Sequence, residues 1–169
     1  MSGFRESGML FIPPSDNDEI FAIEQSRLYK SLGDGIKTVE FILRKGLEEL
    51  DFIEAKSGTP ITDRQSAALN TFLKEVTEKF THSFNLYCAA ILGRYEEQND
   101  MNDSFKTLDY SKLKFKFLLV IKGHQPDWLS PLKTKLEQEL SYHRKIWKSE
   151  CIVLNDEMAK KYHIVSDEG

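Results

Sequence analysis

The chain has 169 residues, 40% of them apolar and 30% charged, with a formal net charge of −4. That length fits one domain able to bury its own core without disulfide or metal support, and the balance is globular rather than disordered. It excludes strong non-specific nucleic-acid binding, which needs many phosphate-neutralising cations, so any such contact is expected to be weak and local.

The N-terminal stretch MSGFRESGMLFIPPSDND has neither the basic segment nor the apolar stretch of a secretory leader. No apolar run approaches the roughly 20 residues that cross a bilayer. The expectation is a soluble cytoplasmic protein without membrane contact, with Cys88 and Cys151 as buried free thiols.

Residues 1–17, broken by Pro13-Pro14, read as an irregular arm, and residues 18–169 as one α/β domain. Residues 18–32 fit either a short helix or the start of a strand. IKTVEFIL (36–43) and LDFIEAKS (50–57) are rich in β-branched and aromatic residues and read as an antiparallel hairpin.

A long helix is expected over 62–93, capped by Thr62 or Asp63, with Leu69, Phe72, Val76, Phe80, Tyr87 and Ile91 on its buried face. Residues 94–112 read as a mobile polar loop. Leu113–Gly123 is the strongest strand, apolar enough at its centre to be covered on both faces. A helix from Gln125 to about Trp147, a short strand over 151–154 and a final helix capped by Asn155 complete the chain. The fold class is α/β: a central mixed sheet with a hairpin and flanking helices.

Strand side chains alternate, so Glu54 and Lys56 share one face with Leu50 and Phe52, while Asp51, Ile53 and Ala55 take the other. Glu40 lies mid-strand between Val39 and Phe41, a setting where a carboxylate is costly unless it meets a cation or a hydrogen-bond donor. Two carboxylates on paired strands can share one hard divalent ion, Mg²⁺ or Mn²⁺, and an adjacent lysine can steady charge on a phosphate.

Glu40 followed by Asp51-Phe52-Ile53-Glu54-Ala55-Lys56 resembles the signature of the PD-(D/E)XK, or restriction-endonuclease-like, nuclease superfamily. The resemblance implies an αβββαβ core and metal-dependent hydrolysis of DNA or RNA. It makes Glu40 and Glu54 the metal ligands and Lys56 the catalytic lysine. Asp51 competes for the first acid, but its parity is wrong. Glu24 matches the extra acid that some members carry on the first helix. Lys79, His82 and Ser83 match a polar helix motif that some members place beside the metal.

Two other readings stay open: a catalytically silent nuclease-like module that binds or assembles, and an unrelated domain whose hairpin carries a structural ion pair. Lys112, Lys114 and Lys116 could guide a phosphate backbone but read first as an edge or solvent-facing stripe, and Trp128 and Trp147 as packing residues.

Overall fold

The computed structural model describes residues 3–59 and 67–167. In chain order the strands and helices are β1 (Phe4–Glu6), β2 (Met9–Phe11), β3 (Glu19–Phe21), α1 (Arg27–Lys30), β4 (Phe41–Lys45), β5 (Glu49–Lys56), α2 (Ala67–Ile91), β6 (Lys114–Ile121), α3 (Pro126–Glu139), α4 (Ser141–Trp147), β7 (Glu150–Asn155) and α5 (Asp156–Lys161). Short 3-10 turns at Ile23–Gln25 and Asp103–Phe105 supplement them.

β3 to β7 form one five-stranded sheet in sequence order. β3, β4 and β5 are antiparallel neighbours; β5, β6 and β7 are parallel. The α2 crossover between parallel β5 and β6 is what such a pair requires. Gly46 turns β4 into β5 with φ +55, a conformation open to glycine at little cost, and its N–H donates to Asp18 Oδ1 at 2.9 Å.

Each face of the sheet carries its own apolar core. Leu50, Phe52, Phe117 and Leu119 meet Leu69, Leu73, Val76, Phe80 and Phe84 of α2 and the buried leucines of α3. Phe41, Leu43, Ile53, Ala55, Leu118, Val120 and Leu154 meet Met9, Phe11, Ala159, Ile164 and Val165 on the other side. No described helix is long and apolar enough to cross a membrane.

Several expectations change. The segment expected to be an irregular arm forms the β1–β2 hairpin, tightened by Ser7 and Gly8 at positive φ, and buries Met9 and Phe11. Residues 18–32 hold both alternatives in turn, a three-residue strand and then a single helical turn. The stretch 94–112 packs rather than roams: Met101, Phe105 and Leu108 are buried, and the Asp100 carboxylate accepts the Arg27 and Leu28 N–H groups at the start of α1.

The helix expected over 125–147 breaks at buried Leu140, which lets α4 turn Trp147 onto Phe84 with ring centroids 4.8 Å apart. Lys116 is not on an edge, because β6 is paired on both sides. The capping positions Thr62 and Asp63 lie outside the described residues.

Candidate active site

The expected strand over 36–43 starts later than its composition suggests, at Phe41, so Glu40 precedes the strand instead of sitting within it. The cause is competition for backbone groups. Val39 N–H donates to Ser83 Oγ at 2.8 Å and Lys37 N–H to His82 Nδ1 at 3.2 Å, so α2 side chains take the donors that a ladder would use.

The antiparallel register pairs Phe41 with Ile53 and Ile42 with Phe52. One step further along that register sets Glu40 opposite Glu54, where directly opposed residues share a face. It is the α2 face, the one to which Leu50 and Phe52 belong.

Helix α2 completes the cluster with residues four apart, which stack along one helical stripe. Lys79 Nζ lies 2.8 Å from Glu54 Oε1 and 3.4 Å from Glu40 Oε1, so one ammonium bridges both carboxylates. Glu75 Oε1 lies 3.2 Å from Lys56 Nζ, which also approaches Glu54 Oε1 at 3.1 Å. Ser83 holds the Val39 backbone that leads into Glu40. From the 3-10 turn after β3, the Glu24 carboxyl hydrogen-bonds that of Glu40.

All seven residues singled out in the sequence therefore lie at one place. Glu40, Glu54, Lys56, Lys79 and Glu24 contact one another; Ser83 and His82 anchor the segment that delivers Glu40. Lys79 is more central than a supporting residue, since it is the cation between the acids. Glu75 escaped the sequence reading, although the four-residue step back from Ser83 and Lys79 leads to it.

Glu54 is fully buried and Glu40 nearly so, whereas Lys56 and Glu75 border solvent. Burial, the Glu24 carboxyl and repulsion from Glu54 push Glu40 up to about 8, against the pull of Lys79. Burial also raises Glu54, opposed by Lys79 and Lys56. Burial would lower Lys79, but Glu54, Glu40 and Glu24 outweigh it and hold its pKa above the ordinary lysine value. Two acids competing for one ammonium, with one of them held protonated near neutrality, is the pattern of a cluster short of positive charge.

The residues fit a divalent ion in one respect and resist it in another. Glu54 Oε2 is buried without a hydrogen-bond partner among the described residues, an oxygen that a hard cation would satisfy. Yet no three His, Cys, Asp or Glu side chains among the described residues stand ready as a metal cage, and the Lys79 ammonium lies between the two acids. Mg²⁺ keeps several waters and is commonly held by one or two carboxylates, so Glu40 and Glu54 are the residues that could hold one, at the place the Lys79 ammonium now takes.

Asp51 lies on the opposite face, as its parity requires. It is fully buried, and Lys45 Nζ lies 2.6 Å from Asp51 Oδ2 and 3.1 Å from Glu49 Oε1. Lys116 closes this second cluster at 2.6 Å from Glu49 Oε2. The thiols offer no nucleophile, since burial pushes Cys88 up to about 11 and Cys151 up to about 12. No family model, no curated protein and no solved structure matches the chain.

Proposed function

We propose that the chain is a divalent-metal-dependent nuclease of the restriction-endonuclease-like kind, hydrolysing phosphodiester bonds in DNA or RNA. One observation carries the reading: among the described residues, Glu24, Glu40, Glu54 and Glu75 gather around Lys56 and Lys79 alone, four acids to two bases at the end of β5. Two of the four acids, Glu40 and Glu54, are buried, and carboxylates crowded in such a place favour an added cation.

In this reading Glu40 and Glu54 hold Mg²⁺ or Mn²⁺. When bound, that ion supplies Lewis acidity at the scissile phosphate. Glu40 gives up its proton to become a ligand, and Glu24, relieved of that hydrogen bond, stays beside it as a further acceptor. Lys79 swings away from the midpoint of the two carboxylates while remaining on its stripe of α2. Lys56, at the solvent border, offers N–H donors to the phosphate oxygens, and Glu75 fixes the direction of its ammonium.

The test uses purified protein with Mn²⁺ or Mg²⁺ and end-labelled single- and double-stranded DNA and RNA. Cleavage is expected, with Glu54→Ala lowering it on the order of 100-fold or more, at least as much as losing an outer-shell partner of a metal ligand. Mn²⁺ should also raise the melting temperature of the wild type and not of Glu54→Ala. Equal cleavage by both proteins would assign the activity to a contaminant and end the proposal.

The competing reading, a catalytically silent nuclease-like module, draws on the position of Lys79, a resident cation where a metal would go. Lys79→Met separates the two. A nuclease binds Mn²⁺ as the wild type and gains roughly tenfold affinity when the rival charge is removed, the effect of about 1.4 kcal/mol. A silent module takes up Mn²⁺ only after the substitution, or not at all.

A further inference from the structure

Eight large hydrophobic side chains are well exposed among the described residues, and four of them, Leu92, Tyr110, Ile146 and Trp147, line a single cleft of about 540 Å³. Scattered exposed apolar residues are ordinary; their convergence on one concavity is the informative case. The cleft lies where the C-terminal ends of α2 and α4 meet the start of β6. Lys114 pairs with Glu49 and Leu119 with Glu54, so it opens about 17 Å along the sheet from the acidic cluster.

Its polar rim is of one sign. Lys112, Lys114 and Lys148 line it, and no acidic residue does, on a chain whose net charge is −4. Lys112 has Asp109 at 3.2 Å, both side chains being largely exposed, while no carboxylate among the described residues pairs with Lys114 or Lys148.

We propose that this cleft docks an acidic amphipathic helix of a protein partner, a surface independent of the nuclease reading. The apolar floor asks for two or three large side chains at i, i+3 or i+4, and i+7; the rim asks for Asp or Glu beside them. A strand is not the occupant, because β6 is already paired with β5 and β7 and offers no free edge. A second copy docked by the same cleft is disfavoured, because an isologous contact sets lysine rim against lysine rim. Leu92 and Ile146, the most exposed of the four, have no π-face, so a nucleic-acid strand would leave them uncovered.

A phage-displayed library of random 16-residue peptides, panned against the full chain, tests the proposal. Enriched sequences should combine large apolar residues at helical spacing with Asp or Glu. A synthetic peptide of the enriched sequence should lose at least tenfold in affinity against Ile146→Asp and against Lys114→Glu, and should bind more weakly as salt rises. Failure to enrich, enrichment of basic sequences, or binding indifferent to both substitutions overturns it. So does a concentration-dependent dimer in sedimentation that Ile146→Asp dissolves, which assigns the cleft to a second copy. Tighter binding of a single-stranded oligonucleotide that Trp147→Ala removes assigns it to nucleic acid and overturns the proposal equally.

Discussion

Strand β5 carries a buried ionic cluster on each of its faces, and the two differ in their charge balance. Beneath α2, Glu24, Glu40, Glu54 and Glu75 face Lys56 and Lys79. On the other face Glu49 and Asp51 meet Lys45 and Lys116, acid for base. Both contain a fully buried carboxylate, so burial alone does not distinguish a reactive site from a structural one. Each also keeps an acid with a strongly raised pKa and a buried carboxylate oxygen without a hydrogen-bond partner; they differ only in that acids outnumber bases beneath α2. Surplus charge of one sign, more than the E-x-K spacing, is the ground on which a ligand is proposed for the α2 face.

The sharpest way to break this comparison is to unbalance the structural cluster. Lys45→Met strands Asp51 in the core and should cost about 3 kcal/mol at pH 8, the order for one partner lost from a buried pair. The cost should shrink at pH 5, because burial already pushes Asp51 up to about 7 and a protonated carboxyl needs no ammonium. Urea denaturation at the two pH values measures it, and a penalty that does not change with pH would show that the Lys45–Asp51 pair is not what holds this face.

The unbalanced cluster should reveal itself through pH without any metal. The folded chain raises Glu40 from an ordinary 4.5 to about 8, so between those values the native state holds a proton that the unfolded chain has released. Stability therefore falls as pH rises through that window. Glu40→Gln, neutral throughout, should flatten the fall between pH 5 and 8, and Mn²⁺ should flatten it in the wild type. Identical slopes for wild type and variant would remove the claim of a charge deficit.

The smallest effect concerns the support of Glu40. Ser83→Ala leaves the buried Val39 N–H without its acceptor and should cost roughly 1–2 kcal/mol. It should also weaken Mn²⁺ binding several-fold while leaving the pH window in place. Calorimetric titration beside a melting curve separates these two consequences.

The hairpin, the long helix and the order of elements were legible because β4, β5, β6 and α2 are long enough for periodicity to show, and each pairs with something that suits its pattern. The site was legible as far as parity reaches: Glu54 and Lys56 on one face, Asp51 on the other. What a one-dimensional pattern lacked was the helix-to-sheet register. Only the docking of α2 brings Glu75 to Lys56 and Lys79 to both acids, and only that docking draws Lys37 and Val39 out of the ladder. The β1–β2 hairpin escaped because three-residue strands carry too little alternation, and the Ser7-Gly8 turn signal stood without a long strand on either side.

The closure of the second core also fixes an order of assembly. Phe11 bridges Val165, Ile12 N–H donates to the Ile164 carbonyl at 3.0 Å, and Ser166 N–H donates to the Leu10 carbonyl at 2.8 Å. Residues 10–12 are thus zipped to residues more than 150 positions later in the sequence. During synthesis Met9 and Phe11 can pack on Phe41, but their cover is completed only when residues 164–166 have left the ribosome, whereas the contacts of the acidic cluster draw on nothing beyond residue 83. On a ribosome-bound chain the acidic face can therefore take shape ahead of the seam that closes the fold behind it.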